Sequence, residues 1–163
     1  NKRVPERIPF QQRERDAFNE LKKLLVDAVK HPLNIIDMSR PFSIFTDSSD
    51  YSVGACLTQT IDGRECPVAF ASCKLTVTQQ RWATVEKEAY AALWSLQKFE
   101  HWIFGNTVTL YSDHNPITFL TETTPKSSKL MRWALALQEF DVIFRHRAGI
   151  HNTVADCLSR NVN

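Results

Sequence analysis

The chain has 163 residues, of which 43% are hydrophobic and 23% charged, and its formal net charge at pH 7 is +2. That length buries a real core as one domain with a short appended segment, and the composition excludes disordered and fibrous classes. So small a net charge excludes a global basic field, so a polyanionic partner has to be held by a local patch. No apolar run approaches the ~18 residues of a membrane span, and the opening NKRVPERIPF lacks the apolar centre of a signal peptide. Cys56, Cys66, Cys73 and Cys157 show neither CxxC pairs nor zinc-type spacing. They read as reduced thiols of a cytosolic or nuclear protein.

Residues 1–13 are polar, carry two prolines and read as a linker. A helix is expected from Glu14 to Lys30, with Phe18, Leu21, Leu25 and Ala28 on one narrow apolar stripe that suits docking on a neighbour. His31-Pro32 ends it. From Phe42 the pattern changes to strands. Phe42 to Thr46 is β-rich and delivers Asp47 at its end, followed by Ser48, Ser49 and Asp50. Val53 to Thr60 and Cys66 to Cys73 follow as strands, with Asp62-Gly63 between them as a hairpin signal. Gly54 permits close backbone approach near Asp47.

A long helix is expected from Gln80 to Phe104, closed by Gly105. Thr107 to Ser112 reads as a strand ending in Asp113, and Asn115-Pro116 as the start of a short helix. Ser127 to Phe140 is helical, Asp141 to His146 is a last strand, and Asn152 caps a terminal helix through Ser159. The fold class is therefore α/β, with a five-stranded mixed sheet flanked by helices. The first three strands are antiparallel, and the two later strands run parallel to the first.

Four carboxylates stand out in that arrangement. Asp47 and Asp113 end two parallel strands on the sheet edge where open α/β sheets place ligands. Either one alone is an ordinary turn residue. Glu88 falls on the flank of the long helix's apolar stripe (Val85, Ala89, Ala92, Leu96, Phe99, Ile103), where an unpaired carboxylate is expensive. Glu86 points away from that stripe and reads as solvated. Asp156 lies one turn into the terminal helix, where the positive helix end favours an anion and would by itself explain an acid. Four acids with no matching basic or thiol cluster suit a hard, oxygen-liganded cation such as Mg²⁺. Asp50 is left as a turn residue.

The blocks TDSSDYSVGACLTQ, VAFASCKLT, VEKEAYAALWSLQKF, LYSDHNPI and AGIHNTVADCLSR, in that order, resemble the ribonuclease H domain of Ty3/gypsy-type LTR retrotransposon Pol polyproteins. The resemblance runs from about Pro41 to Arg160. The segment before it, with AFNELKKLL, resembles the connection leaving the reverse transcriptase domain. It implies a connection segment over 1–40 and a ribonuclease H-like domain over 41–163. It also implies an endoribonuclease that hydrolyses the RNA strand of RNA–DNA hybrids during reverse transcription, by two-metal catalysis with Mg²⁺, for which Mn²⁺ is a substitute.

Carried over by position, the catalytic and metal-binding acids are Asp47, Glu88, Asp113 and Asp156, with Glu86 the alternative to Glu88 if the alignment slips by two. Asp47 is the implied bridging ligand. Substrate-binding positions implied in the same way are Ser48, Ser49, Arg81, Thr84, His114, Asn115 and His146. Backbone near Ser48 to Asp50 and the side chains of Glu88 and Asn115 face the 2′-hydroxyl, while Arg81 and Thr84 face DNA phosphates. His146 stands where some cellular enzymes place a mobile histidine, although its strand end also suits a structural role.

Lys126, Lys129, Arg132, Arg145 and Arg147 offer a modest basic surface. No basic, Trp-bearing protrusion is evident between Thr121 and Phe140, so hybrid affinity of the isolated domain is expected to be weak. The implied partners are the hybrid and the upstream reverse transcriptase domain of the same polyprotein, with dimerisation through the polymerase compatible with that arrangement and no membrane. The implied location is cytoplasmic, in a virus-like particle, or nuclear. The rival readings are a non-catalytic tether on the same fold and an integrase- or transposase-like member of the superfold. The second fits poorly around Glu88 and Asp113.

Overall fold

The computed structural model describes residues 11–30, 36–113, 128–148 and 152–160, with the side chains of the first helix described over residues 11–24. The chain divides into two units, residues 1–35 and 36–163. The first contains helix α1 (Gln12–Lys30). Its start is stabilised by the Glu14 carboxylate, which accepts from the Gln11 amide at 2.8 Å and also suits the positive helix end. Phe18, Leu21 and Leu24 are all more than half exposed.

The second unit is built on one sheet of β1 (Phe42–Ser48), β2 (Ser52–Ile61), β3 (Arg64–Lys74), β4 (Val108–Ser112) and β5 (Val142–His146), in the order β3-β2-β1-β4-β5. β1–β2 and β2–β3 are antiparallel, and β1–β4 and β4–β5 are parallel, as the strand signals imply. The β2–β3 hairpin turns on Asp62 (φ 50°) and Gly63 (φ 75°), the two positive-φ positions that an Asp-Gly pair provides. β1 lies at the centre and is apolar on both faces. Phe42 and Ile44 join a core with Leu57, Val108, Leu110, Leu96 and Phe99, while Phe45 joins Cys56, Tyr111 and Ala155 on the other face.

The long helix starts later than its periodicity implies. Val77–Gln80 forms a separate turn, α2, with a capping box between Thr76 and Gln79, and α3 (Thr84–Ile103) restarts after residues 81–83. At that restart the Glu86 carboxylate accepts from the Ala83 amide at 3.3 Å. Two start signals lie close together, and each begins its own helix. At the other end Gly105 has φ 75°, the left-handed geometry expected of a helix stop.

α4 (Ser128–Leu137) packs on α3 through an aromatic cluster of Trp82, Tyr90 and Trp133, with ring centroids 5.3–6.0 Å apart. The Lys129 ammonium lies 4.0 Å from the Trp82 ring centre and 2.7 Å from Glu86. Glu86 is therefore not the solvated residue expected of it; this ion pair and the helix start hold it half-buried. Lys129, read as part of a basic surface, is likewise committed inside the fold, and Arg147 pairs with Glu65 at 2.9 Å. The Asn115-Pro116 helix and Lys126 lie outside the described residues.

α5 (Thr153–Arg160) packs on β2 and β1. A Cβ on Gly54 would stand 2.6 Å from both Ala155 O and Ser159 N, so the missing side chain is what lets this helix lie against the sheet. Asn152 precedes α5 but does not cap it with its side chain. Its Nδ2 donates to Thr46 O at 2.9 Å, tying the helix to β1, and its buried Oδ1 has no hydrogen-bond partner among the described residues. None of the four cysteines is in a disulfide, and burial pushes the Cys56 thiol up to about 11.

Candidate active site

β1 ends by placing Asp47 opposite Gly54 of β2, and β4 ends just before Asp113. Because β1 and β4 run parallel and adjacent, both carboxylates reach the same edge of the sheet. Glu88, in the second turn of α3, arrives from the helix above. One carboxylate oxygen from each of Asp47, Glu88 and Asp113 lies within 4.8 Å of the other two. Asp47 is 6% exposed and Glu88 only 2%.

Hydroxyls fix their geometry. Ser48 Oγ donates to Glu88 Oε1 at 2.6 Å, Ser112 Oγ donates to Glu88 Oε2 at 3.4 Å, and Ser159 Oγ donates to Asp47 Oδ2. Ser159 is held in turn by α5, whose last turn is stitched to the β1–β2 turn by Ser49 Oγ donating to Ser159 O at 2.6 Å. The helix that Gly54 admits is thus the one that orients Asp47.

Asp47 sits in conflicting fields. Burial raises its pKa above the ordinary aspartate value, the Ser159 hydrogen bond opposes this, and the nearby charges of Asp113 and Asp156 raise it further. A folded-state pKa above the unfolded one means that Asp47 favours folding below the unfolded value, and that this contribution is lost as pH rises through the folded value. Asp47→Asn is therefore expected to raise the melting temperature of the protein in metal-chelating buffer near pH 7. The gain should shrink as the pH falls through the raised folded-state value, and be gone below the ordinary aspartate pKa of about 3.9. A calorimetric pH series on both proteins checks this, and a variant less stable than the parent at pH 7 would contradict the electrostatic reading.

Such a cluster fits a hard divalent cation. Three oxygen donors that repel one another in a nearly dry site are stabilised by an ion such as Mg²⁺. Asp156, the fourth predicted acid, is in the first turn of α5 and close enough to raise the Asp47 pKa. Its Oδ1, however, accepts from Arg160 Nε at 2.6 Å. Arg160 also feels Asp47 and Asp113.

The sequence reading found no matching basic cluster for the acids, yet Arg160 stands beside them and Lys87 beside Asp50. Arg160 was legible as the i+4 neighbour of Asp156. Lys87 was not, because its helix position says nothing about the turn it reaches: its Nζ lies 2.7 Å from Asp50 Oδ1. Asp50, read as a mere turn residue, is thereby an ion-pair partner.

The remaining candidates are spread more widely. Ser48, Ser49 and Thr84 line a cavity of about 490 Å³ beside the cluster, together with Tyr51, Lys87 and Arg160. Arg81 is exposed in the break before α3, and His146 is exposed at the end of β5, paired in register with Ser112. His114 and Asn115 lie outside the described residues.

A family profile described as "RNase H-like domain found in reverse transcriptase" matches residues 37–140. The Retrovirus-related Pol polyprotein from transposon opus of Drosophila melanogaster is 36% identical over 145 residues, which is 88% of this chain and 14% of that protein. The corresponding polyprotein from transposon gypsy of the same organism is 32% identical, over 100% of this chain and 15% of its own length. The chain thus spans about one seventh of these relatives. Among solved structures, a foamy viral protease-reverse transcriptase in complex with RNA/DNA hybrid aligns with a TM-score of 0.60 at 19% identity, over 86% of this chain and 19% of that one. The acid-tipped central strands, the register of the sheet and the matching sequence blocks agree, and the chain belongs to the RNase H-like domains found in reverse transcriptase, with its relatives among Ty3/gypsy-type Pol polyproteins.

Proposed function

We propose that this domain hydrolyses the RNA strand of RNA–DNA hybrids during retrotransposon reverse transcription, as part of a polyprotein that also carries the polymerase. The observation that carries the reading is the convergence of Asp47, Glu88 and Asp113 at one sheet edge, with two of the three buried. A non-catalytic tether gains nothing from holding mutually repelling acids in a dry site.

In this reading Asp47, Glu88 and Asp113 hold Mg²⁺, and Asp156 joins them by exchanging its Arg160 contact. Bound Mg²⁺ supplies Lewis-acid charge for activating water and stabilising the leaving oxygen. The protein's own residues set the geometry. Ser48 and Ser112 hold Glu88 on the α3 side, and Ser159 holds Asp47 on the α5 side. Ser48, Ser49 and Thr84 present the adjoining cavity to the hybrid backbone. In the overall reaction a water oxygen bonds to phosphorus as the P–O3′ bond breaks. The water gives up a proton and the departing 3′ oxygen gains one.

Incubation of the whole chain with an end-labelled RNA–DNA hybrid, duplex DNA and single-stranded RNA tests the reading. Cutting is expected of the RNA strand of the hybrid alone, with Mg²⁺ or Mn²⁺, and it should stop in chelator. Failure to cut the hybrid with either ion at micromolar protein would favour the tether.

A further inference from the structure

Lys87 is an unusual lysine. It is 5% exposed, one residue before Glu88, and it reaches the wall of the 490 Å³ cavity. Lysines are seldom so buried unless paired. Its ion-pair partner is Asp50 on the turn between β1 and β2, whose side chain is 82% exposed. The pair is asymmetric. An ammonium withdrawn from water needs an anion, whereas a carboxylate so exposed is already solvated and gives up little on leaving. The cavity beside them has the volume of a small-molecule pocket and adds the Thr84 hydroxyl and the Arg160 guanidinium. Two cations and a hydroxyl around an open space suit a phosphodiester.

We propose that Asp50 is a built-in stand-in for a substrate phosphate. It neutralises Lys87 in the free domain and swings into solvent when a phosphodiester of the bound hybrid takes its place, which makes Lys87 a backbone anchor beside Glu88. The inference rests on the hybrid reading above. It adds an exchange of anions at one lysine, through which Asp50 restrains affinity.

Hybrid binding by the whole chain, read by fluorescence anisotropy in an Asp47→Asn background with Mg²⁺, tests it without cleavage. Asp50→Asn is expected to tighten Kd by about 2- to 5-fold at low salt, the range of an ion pair whose anion is solvent-exposed. Asp62→Asn makes the same charge change at the far end of the β2–β3 hairpin, and is expected to do less. Lys87→Met should weaken binding, reduce the slope of log K against log salt by about 0.9, and abolish the gain from Asp50→Asn.

Asn keeps the size and turn-forming character of Asp50, and a thermal melt shows that the Asp50→Asn protein used is folded, whether or not Lys87→Met folds. The comparison of Asp50→Asn with Asp62→Asn then decides alone. Binding that is unchanged or weakened by Asp50→Asn, or tightened no more than by Asp62→Asn, overturns the anchor. Absence of hybrid cleavage by the parent protein overturns the proposed function instead, and leaves the binding comparison readable.

Discussion

Asp47→Asn is expected to lower cleavage of an RNA–DNA hybrid on the order of 10³-fold or more, the scale on which removing one member of a catalytic unit acts. Asp47 is fixed both by the sheet and by α5. Its strand is central, its register partner is Gly54, and its carboxylate is held by Ser159 of α5. Asn keeps the shape and one oxygen but removes the charge that would hold a divalent ion. The same variant is expected to be more stable than the parent in metal-free buffer. Together the two measurements separate lost chemistry from lost fold. An active Asp47→Asn variant, or an inactive one that has also unfolded, would remove the support for a catalytic role. Added Mg²⁺ should raise the melting temperature of the parent and have a smaller effect on the variant, since a ligand that binds only the folded state stabilises it by mass action.

The second large effect is expected at a residue that has no side chain. Gly54→Ala puts a methyl group 2.6 Å from Ala155 O and Ser159 N and 2.7 Å from Leu158 Cβ. Two of these are backbone atoms that no rotamer change removes, so α5 has to move away from β2. Overpacking of this kind costs about 1–3 kcal/mol, and for a chain of this size each kcal/mol lowers Tm by roughly 2–4 °C. The functional loss should exceed the stability loss. α5 carries Asp156 and Ser159, and a shift of about 1 Å in a reacting group can cost on the order of 10²-fold in rate. Thermal melts and hybrid cleavage assays on Gly54→Ala check both halves. A variant with parental Tm and rate would mean that the helix does not depend on this contact.

Much of the fold was legible because the signals were local. The Asp62-Gly63 hairpin, the apolar run of β1 and the stop at Gly105 each depend on a few neighbouring residues, and each appears where expected. The start of the long helix was misjudged for the same reason. Periodicity continued through residues 80–83, but two competing caps divided it into α2 and α3. Asn152 looked like a cap by type and position, yet its amide is used on Thr46, a contact 106 residues away in sequence. Glu86 looked solvated by helix face, but Lys129 of α4 covers it.

By itself the sequence determined the residue types at the sheet edge. Strand periodicity put Asp47 and Asp113 at the ends of parallel strands, and helical phase put Glu88 on the buried flank of α3. Those are properties of each element alone. Only the tertiary structure decided the charges around them. It brought Arg160 into the field of Asp47 and Asp113, Ser159 onto Asp47, and Lys87 onto Asp50 across the β1–β2 turn. The physical reason is reach. An acid's place on its own strand or helix follows from 2.0- and 3.6-residue periods, but the field it feels is set by whichever elements pack within a few ångströms. For α5 that packing was allowed by the absence of one side chain at Gly54.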